Sequence, residues 1–194
     1  MNQLKKITGI ILAGGKSQRM GQDKGLMIVN NKPFIQHIID ALMPLTHEII
    51  IVSNTSAYDT FAIKRVEDHI PNAGPIAGIH AGLMHSKTVN NIILSCDVPM
   101  ITTSLLEKLT SYKNDDYDVV QFEANRKTMP LIALYKKRCA AYCLDVLSRG
   151  EKRLRTLISE MNTKTIVLPK KDWFLVHNIN TVTDLKTIIH AIDH

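Results

Sequence analysis

Apolar residues gather in short β-branched runs at 7–12, 48–53, 63–67, 91–95, 118–122 and 131–135, and each run reads as a strand. Between these runs the apolar period changes. Ile35, Ile38, Ile39 and Leu42 recur at helical spacing after Pro33, and Pro44 ends the pattern. Further helices are expected over 75–85, 104–113, 136–148, 152–161 and 183–192, while the polar stretches 113–118 and 169–172 read as surface loops. Alternation of strand and helix predicts an α/β fold, a mainly parallel sheet covered by helices on both faces. Ligands of such sheets bind beyond the carboxyl ends of the strands, so the residues that follow each strand carry the functional reading.

Composition narrows the class without changing this picture. The chain has 194 residues, 45% of them hydrophobic and 22% charged, which excludes disordered and fibrous classes and suits a single domain over 1–194. Cys96, Cys139 and Cys143 form no CxxC pair and are odd in number, so a disulfide framework and a structural zinc site are both disfavoured and a reducing cytoplasm fits. The apolar run at the N-terminus is short and ends in Gly-Gly-Lys without a cleavage site, and it reads as a strand rather than a signal peptide. No apolar stretch reaches the roughly 18 residues of a membrane span. The net charge of +6 comes from scattered lysines and arginines, and aromatics make up only 5%. That pattern lacks the basic and aromatic interleaving of a nucleic-acid surface; on charge alone solubility is the first reading, and a small polyanionic substrate accounts for it as well.

The loop after the first strand, Leu12-Ala-Gly-Gly-Lys-Ser-Gln-Arg-Met-Gly-Gln-Asp-Lys-Gly25, is the most informative segment. Its paired glycines, Gly14 and Gly15, remove side chains that would keep a ligand from the backbone N–H groups. Arg19 adds a planar fork of donors and Lys24 a point charge, both suited to phosphoryl oxygens. Gly15-Lys16-Ser17 resembles the end of a Walker A loop, but that motif needs glycine at position 10, where Ile10 stands. Adjacent glycines with no third at the required offset also rule out the dinucleotide fingerprint.

Later strand ends supply acidic and amide groups. The strand at 91–95 leads to Asp97, where one carboxylate can hold Mg²⁺ against a nucleotide's phosphates; a turn or helix N-cap residue is the alternative. Asn54 and Asp68 follow the second and third strands, where they could read a base or ribose. Gly74 and Gly78 lie four apart at a helix start, a spacing that suits substrate entry or close helix packing equally. Asn178 and Asn180 show period two, which would turn both amides to one cleft; an Asx turn into the last helix is the alternative. The eight histidines show no metal-ligand spacing, Cys139 and Cys143 read as core, Cys96 lacks a base partner, and Lys136, Lys137 and Arg138 read as a solvated helix start.

Taken in order, LAGGKSQRMGQDKG, GPIAG, SCDVP and NINTVTDL resemble the molybdenum cofactor guanylyltransferases, the MobA type of the nucleotidyltransferase superfamily, over nearly the whole chain. The resemblance implies a three-layer α/β/α, Rossmann-like nucleotide-diphospho-sugar transferase fold with a mixed, mostly parallel sheet, its N-terminal part binding nucleotide and its C-terminal part the acceptor. It implies transfer of GMP from GTP to the terminal phosphate of molybdopterin, with release of pyrophosphate. By the same resemblance Leu12, Ala13, Gly14 and Gly15 meet the nucleotide, Lys24 its phosphates, Asn54 and Asp68 the nucleoside, and Asp97 a Mg²⁺ ion. Arg19, Lys24 and Asp97 become the catalytic set. Gly21 lines the cleft, and Gly74, Gly78, Asn178 and Asn180 line its acceptor side. The implied partners are GTP, molybdopterin, molybdenum insertion proteins and molybdoenzyme chaperones, for a cytoplasmic monomer that uses neither nucleic acid nor membrane. Three positions depart from the family pattern: Val182 and Thr183 stand where the family's Asn-x-Asn-Thr-Pro motif has its proline and the acidic residue that follows, and Met129 precedes Pro130 where histidine is frequent. Cytidylyl transfer to the same acceptor and a silent nucleotide-binding regulator are the competing readings; retention of both Lys24 and Asp97 favours an enzyme.

Overall fold

Neighbouring residues of the first strand point to opposite cores, Ile11 into one and Ile10 into the other, because side chains alternate across a sheet. A computed structural model describes residues 7–14, 23–70, 73–181 and 184. In chain order the elements are β1 (Ile7–Leu12), β2 (Ile28–Val29), β3 (Lys32–Pro33), α1 (Phe34–Leu42), β4 (Glu48–Val52), β5 (Lys64–Val66), α2 (Pro75–His85), β6 (Asn90–Ser95) and α3 (Thr103–Thr110). They continue with β7 (Val119–Ala124), β8 (Lys127–Lys136), α4 (Cys139–Ser148), α5 (Leu154–Ser159) and β9 (Thr163–Val167). Short 3-10 turns occupy Lys24–Leu26, Ser56–Phe61 and Lys170–Val176.

Seven strands form one sheet in the order β5-β4-β1-β6-β8-β7-β9. Every neighbouring pair is parallel except those made by β8, which runs against β6 and β7. The sheet is therefore mixed and mostly parallel. One face is covered by α1 and α3 through Ile35, Ile38, Leu42, Leu105, Leu106 and Leu109. The other carries α2, α4 and α5 through Ile76, Ile79, Leu83, Cys139, Cys143 and Leu157, which completes the three layers. At Gly82 of α2 an added Cβ would stand 2.5 Å from Cγ2 of Ile10, so this glycine lets the helix lie close on β1.

Several elements differ from the sequence reading. The run at 131–135 extends to Lys127–Lys136, since a two-residue turn with both Asn125 (φ 48°) and Arg126 (φ 60°) left-handed closes a hairpin with β7. Pro130 is tolerated inside β8 because the β7 pairing jumps there, from Ala133 to Met129, and the buried Tyr135 hydroxyl donates to the Pro130 carbonyl at 2.8 Å. The expected helix over 136–148 begins only at Cys139. Lys136, Lys137 and Arg138 are not a solvated helix start: they reach Asn90 (2.9 Å), the Ser86 carbonyl (2.6 Å) and Asp118 (2.6 Å), tying α4 to the strand ends. Strand β9 was not foreseen, and neither were the two-residue strands β2 and β3. Gly15, Arg19, Gly21, Val182, Thr183 and the expected helix over 183–192 lie outside the described residues.

Candidate functional site

The carboxyl ends of β1, β4, β5 and β6 lie along one edge of the sheet, because these four strands are mutually parallel. At the end of β1 the Leu12 carbonyl accepts from Cys96 N–H (3.1 Å), and Ala13 N–H donates to the Val52 carbonyl (2.9 Å). These bonds hold the strand end in the sheet. Gly14, the next residue, is exposed and brings bare backbone to the edge.

Beyond β4 and β5 the structure joins two residues that the sequence could only list side by side. The Asn54 side-chain oxygen accepts from Asp68 N–H at 3.0 Å. Arg65 braces this corner, donating to the Ser53 carbonyl (2.9 Å), Asp59 (2.7 Å) and Glu67 (2.9 Å). Asn54 thus fixes the backbone of Asp68, whose carboxylate lies on a half-buried residue at the rim.

The centre of the edge is built around Asp97. Its side-chain oxygen Oδ1 accepts from Ser95 Oγ, and its backbone carbonyl accepts from Ile179 N–H at 2.9 Å. Oδ2 faces the Lys24 ammonium at 3.8 Å, and the two side chains are 15% and 18% exposed. Lys24 also donates to the side-chain oxygen of Asn180. One carboxylate, one ammonium and one amide therefore meet at a partly open point, a combination suited to phosphate and a divalent cation.

Lys24 owes its place to a 3-10 turn. Asp23 caps the turn by accepting from Gly25 N–H at 3.1 Å, and the buried Tyr58 hydroxyl donates to the same carboxylate oxygen. Burial, with Asp23 adding to it, pushes the Tyr58 phenol far above its ordinary range, so it remains a donor. The buried Cys96 thiol is pushed up to about 12 chiefly by burial and further by Asp97 and Asp23, which keeps it protonated.

Beyond Asp97, Ile179 is buried against Val29 and Phe34, while Asn178 and Asn180 on either side of it are exposed. This is the period of two expected for them, in an extended segment that belongs to no strand. The turn into residue 184 is made not by the asparagine side chains, as an Asx turn would be, but by Thr181 and Asp184. Thr181 Oγ1 accepts from Asp184 N–H (3.0 Å), while the Asp184 carboxylate accepts from Asn180 N–H (2.9 Å) and Thr181 N–H (2.8 Å), a reciprocal cap. Gly74 is exposed with φ 64° at the start of α2, a conformation that favours glycine. Gly78 is buried instead, and an added Cβ would meet Leu12 at 3.3 Å, so of the two uses open to it this glycine serves close helix packing under the strand end.

Sequence reasoning singled out Asp97, Lys24 and Asn180 but missed the groups that hold them: Ser95, Asp23 and Tyr58. Asp-Lys-Gly at 23–25 carries a capping signal that could have identified Asp23. Tyr58, 35 residues further on, has no local signal at all. Among the described residues no group of three or more His, Cys, Asp or Glu side chains could hold a metal by protein ligands alone, and no helix is long and apolar enough to cross a membrane.

A family model described as a MobA-like NTP transferase domain matches residues 9–165. A protein of Flavobacterium johnsoniae named probable molybdenum cofactor guanylyltransferase is 34% identical over 185 residues, which span 95% of this chain and 97% of that one. A molybdenum cofactor guanylyltransferase of Vibrio parahaemolyticus is 35% identical over 188 residues, covering 95% and 96%. Among solved structures, molybdopterin-guanine dinucleotide biosynthesis protein A of Archaeoglobus fulgidus superposes with a TM-score of 0.82 at 21% identity, over 96% of this chain and 98% of that one, and so shares the fold.

Proposed function

Because the chain belongs to the MobA-like NTP transferase family, we propose that it transfers GMP from GTP to the terminal phosphate of molybdopterin. An oxygen of that phosphate attacks the α-phosphorus of GTP, the new P–O bond forms, and the bond to the β-phosphate's bridging oxygen breaks to release pyrophosphate. The observation that carries this reading is the meeting of Lys24, Asp97 and Asn180 at the carboxyl edge of the sheet, between the Asn54 and Asp68 corner and the Asn178 to Asn180 segment. Nucleotide bound along β1, β4 and β5 would bring its phosphates to Lys24, and acceptor bound along residues 178–180 would approach from the other side.

A phosphate monoester is already a nucleophile, so the reaction needs positioning and charge neutralisation rather than a strong base. Gly14, with Gly15 and Arg19 of the following segment, would receive the phosphates. Lys24 would neutralise the charge that grows as pyrophosphate departs. Asn54 and Asp68 would address the nucleoside, Gly74 would let the acceptor come close to the start of α2, and Asn178 and Asn180 would hold the acceptor itself. Asp97 fits a Mg²⁺ ion, since Ser95 engages one carboxylate oxygen while the other faces Lys24, and Mg²⁺ requires only one or two carboxylates beside substrate phosphates. When bound, such an ion would supply Lewis-acid stabilisation of the phosphoryl oxygens.

Buried thiols at Cys96, Cys139 and Cys143 suit a reducing cytoplasm, and we place the reaction there, in a single domain acting as a monomer. Supplying each NTP separately with Mg²⁺ and molybdopterin tests the reading. Pyrophosphate release with GTP supports it, and release with CTP in place of GTP overturns it.

A further inference from the structure

Tyr58 lies outside every motif of the sequence, on a 3-10 turn behind the nucleotide corner, yet its hydroxyl ends on the residue that precedes Lys24. The phenol is fully buried, and its ring stands 6.2 Å from that of Phe61. The turn that carries it is fastened twice: Thr55 Oγ1 caps its start by accepting from Ala57 N–H (3.4 Å), and Arg65 holds Asp59 at 2.7 Å. Its position is thus set from the nucleotide side of the edge.

The Lys24 turn is shaped to rest on this phenol. Asp23 accepts from Tyr58 and from Gly25 N–H with the same oxygen, so one carboxylate links phenol and turn. An added Cβ on Gly25 would collide with the Tyr58 hydroxyl oxygen, which means that only glycine leaves room for the contact. On the far side of the turn, Lys24 reaches Asp97 and Asn180. Lysine side chains carry large rotamer freedom, and an ammonium aimed at a phosphate must have its backbone fixed to act reproducibly.

We infer that Tyr58 and Asp23 are positioning residues, which aim the Lys24 ammonium by pinning the Lys24–Leu26 turn to a buried phenol anchored on the nucleotide side. The inference rests on the role proposed above for Lys24. It differs from a purely structural role for Tyr58, which would affect folding and leave the chemical step alone. It also gives the Asp-Lys-Gly sequence a joint purpose: acceptor for the phenol, cation, and clearance.

Y58F keeps the ring and its packing while removing the hydroxyl; K24A removes the ammonium. Both variants, their combination and the wild type are assayed for GMP transfer from GTP, and amide hydrogen exchange is measured over residues 23–27. Y58F is expected to lower kcat between about tenfold and a hundredfold, to change KM for GTP by less than about threefold, and to speed exchange over 23–27. In the K24A background it should cost little more, because the group it aims is gone. Unchanged exchange in Y58F, or a full further loss of kcat in the double variant, overturns the inference. A wild type that transfers no GMP overturns the functional reading instead, and the exchange result still decides whether the phenol pins the turn.

Discussion

Lys24 and Asn180, separated by 156 residues, are joined by a hydrogen bond from the ammonium to the side-chain oxygen of the amide. The cation assigned to the nucleotide's phosphates and the amide assigned to the acceptor are therefore direct neighbours. Ile179 strengthens the link, since its N–H donates to the carbonyl of Asp97, whose side chain faces Lys24. Under the roles proposed for them, nucleotide and acceptor would meet at this point, as a transfer between two phosphates requires.

This contact makes the two substitutions interdependent. Lys24→Ala should lower the chemical step far more than it weakens molybdopterin binding, whereas Asn180→Ala should weaken molybdopterin binding by about 1 to 3 kcal/mol and leave GTP affinity within about threefold. Measured as a double-mutant cycle on kcat/KM, the pair should show a coupling energy of about 0.5 kcal/mol or more. Strict additivity would contradict the contact's place in the reaction.

Asp97→Asn retains size and hydrogen-bonding capacity but removes the charge facing Lys24. Turnover should fall on the order of 100-fold or more, while the thermal midpoint changes little because Asp97 is at the partly open edge. Steady-state assays across a Mg²⁺ titration check this. Wild-type turnover with the same metal dependence would remove Asp97 from the site.

Gly82→Ala provides the opposite case. Its Cβ would collide with Ile10 in the packed layer between α2 and β1, so stability should drop by about 1 to 3 kcal/mol. Activity per folded molecule, assayed below the lowered midpoint, should stay near wild type. Denaturant unfolding and a rate normalised to folded protein separate the two quantities.

Much of this was legible from residue pattern, and the parts that were not have physical reasons. Strands β1, β4 and β6 lie inside the sheet and are buried on both faces, so each carries at least three consecutive apolar residues. Strand β9 sits at the sheet's edge with the half-exposed sequence Thr-Lys-Thr-Ile-Val, which dilutes the signal, and β2 and β3 are too short to show a period. At the site, glycines and charges directly after strands were visible. The links from Tyr58 to Asp23 and from Lys24 to Asn180 join residues 35 and 156 positions apart, and no local spacing encodes such contacts.

Asp184 gives a pH dependence. Accepting from Asn180 N–H, and additionally from Thr181, holds its carboxyl below the ordinary range. A depressed carboxyl contributes stability that is present above its unfolded pKa of about 3.9 and is lost as pH falls through the lower folded value. Asp184→Asn should accordingly lower the thermal midpoint near neutral pH, and its gap to wild type should close as pH falls below about 3.9. A gap that persists unchanged at low pH would show that the charge of Asp184 does not support the segment that carries Asn180.

Competition between two nucleotides tests guanylyl transfer itself. The wild-type protein is given GTP and CTP in equal amounts with Mg²⁺ and molybdopterin, the product is cleaved at its pyrophosphate, and the nucleotide recovered is identified by mass. GMP is expected, with one pyrophosphate released per GMP recovered; recovery of CMP, or of no nucleotide joined to the pterin, would overturn guanylyl transfer.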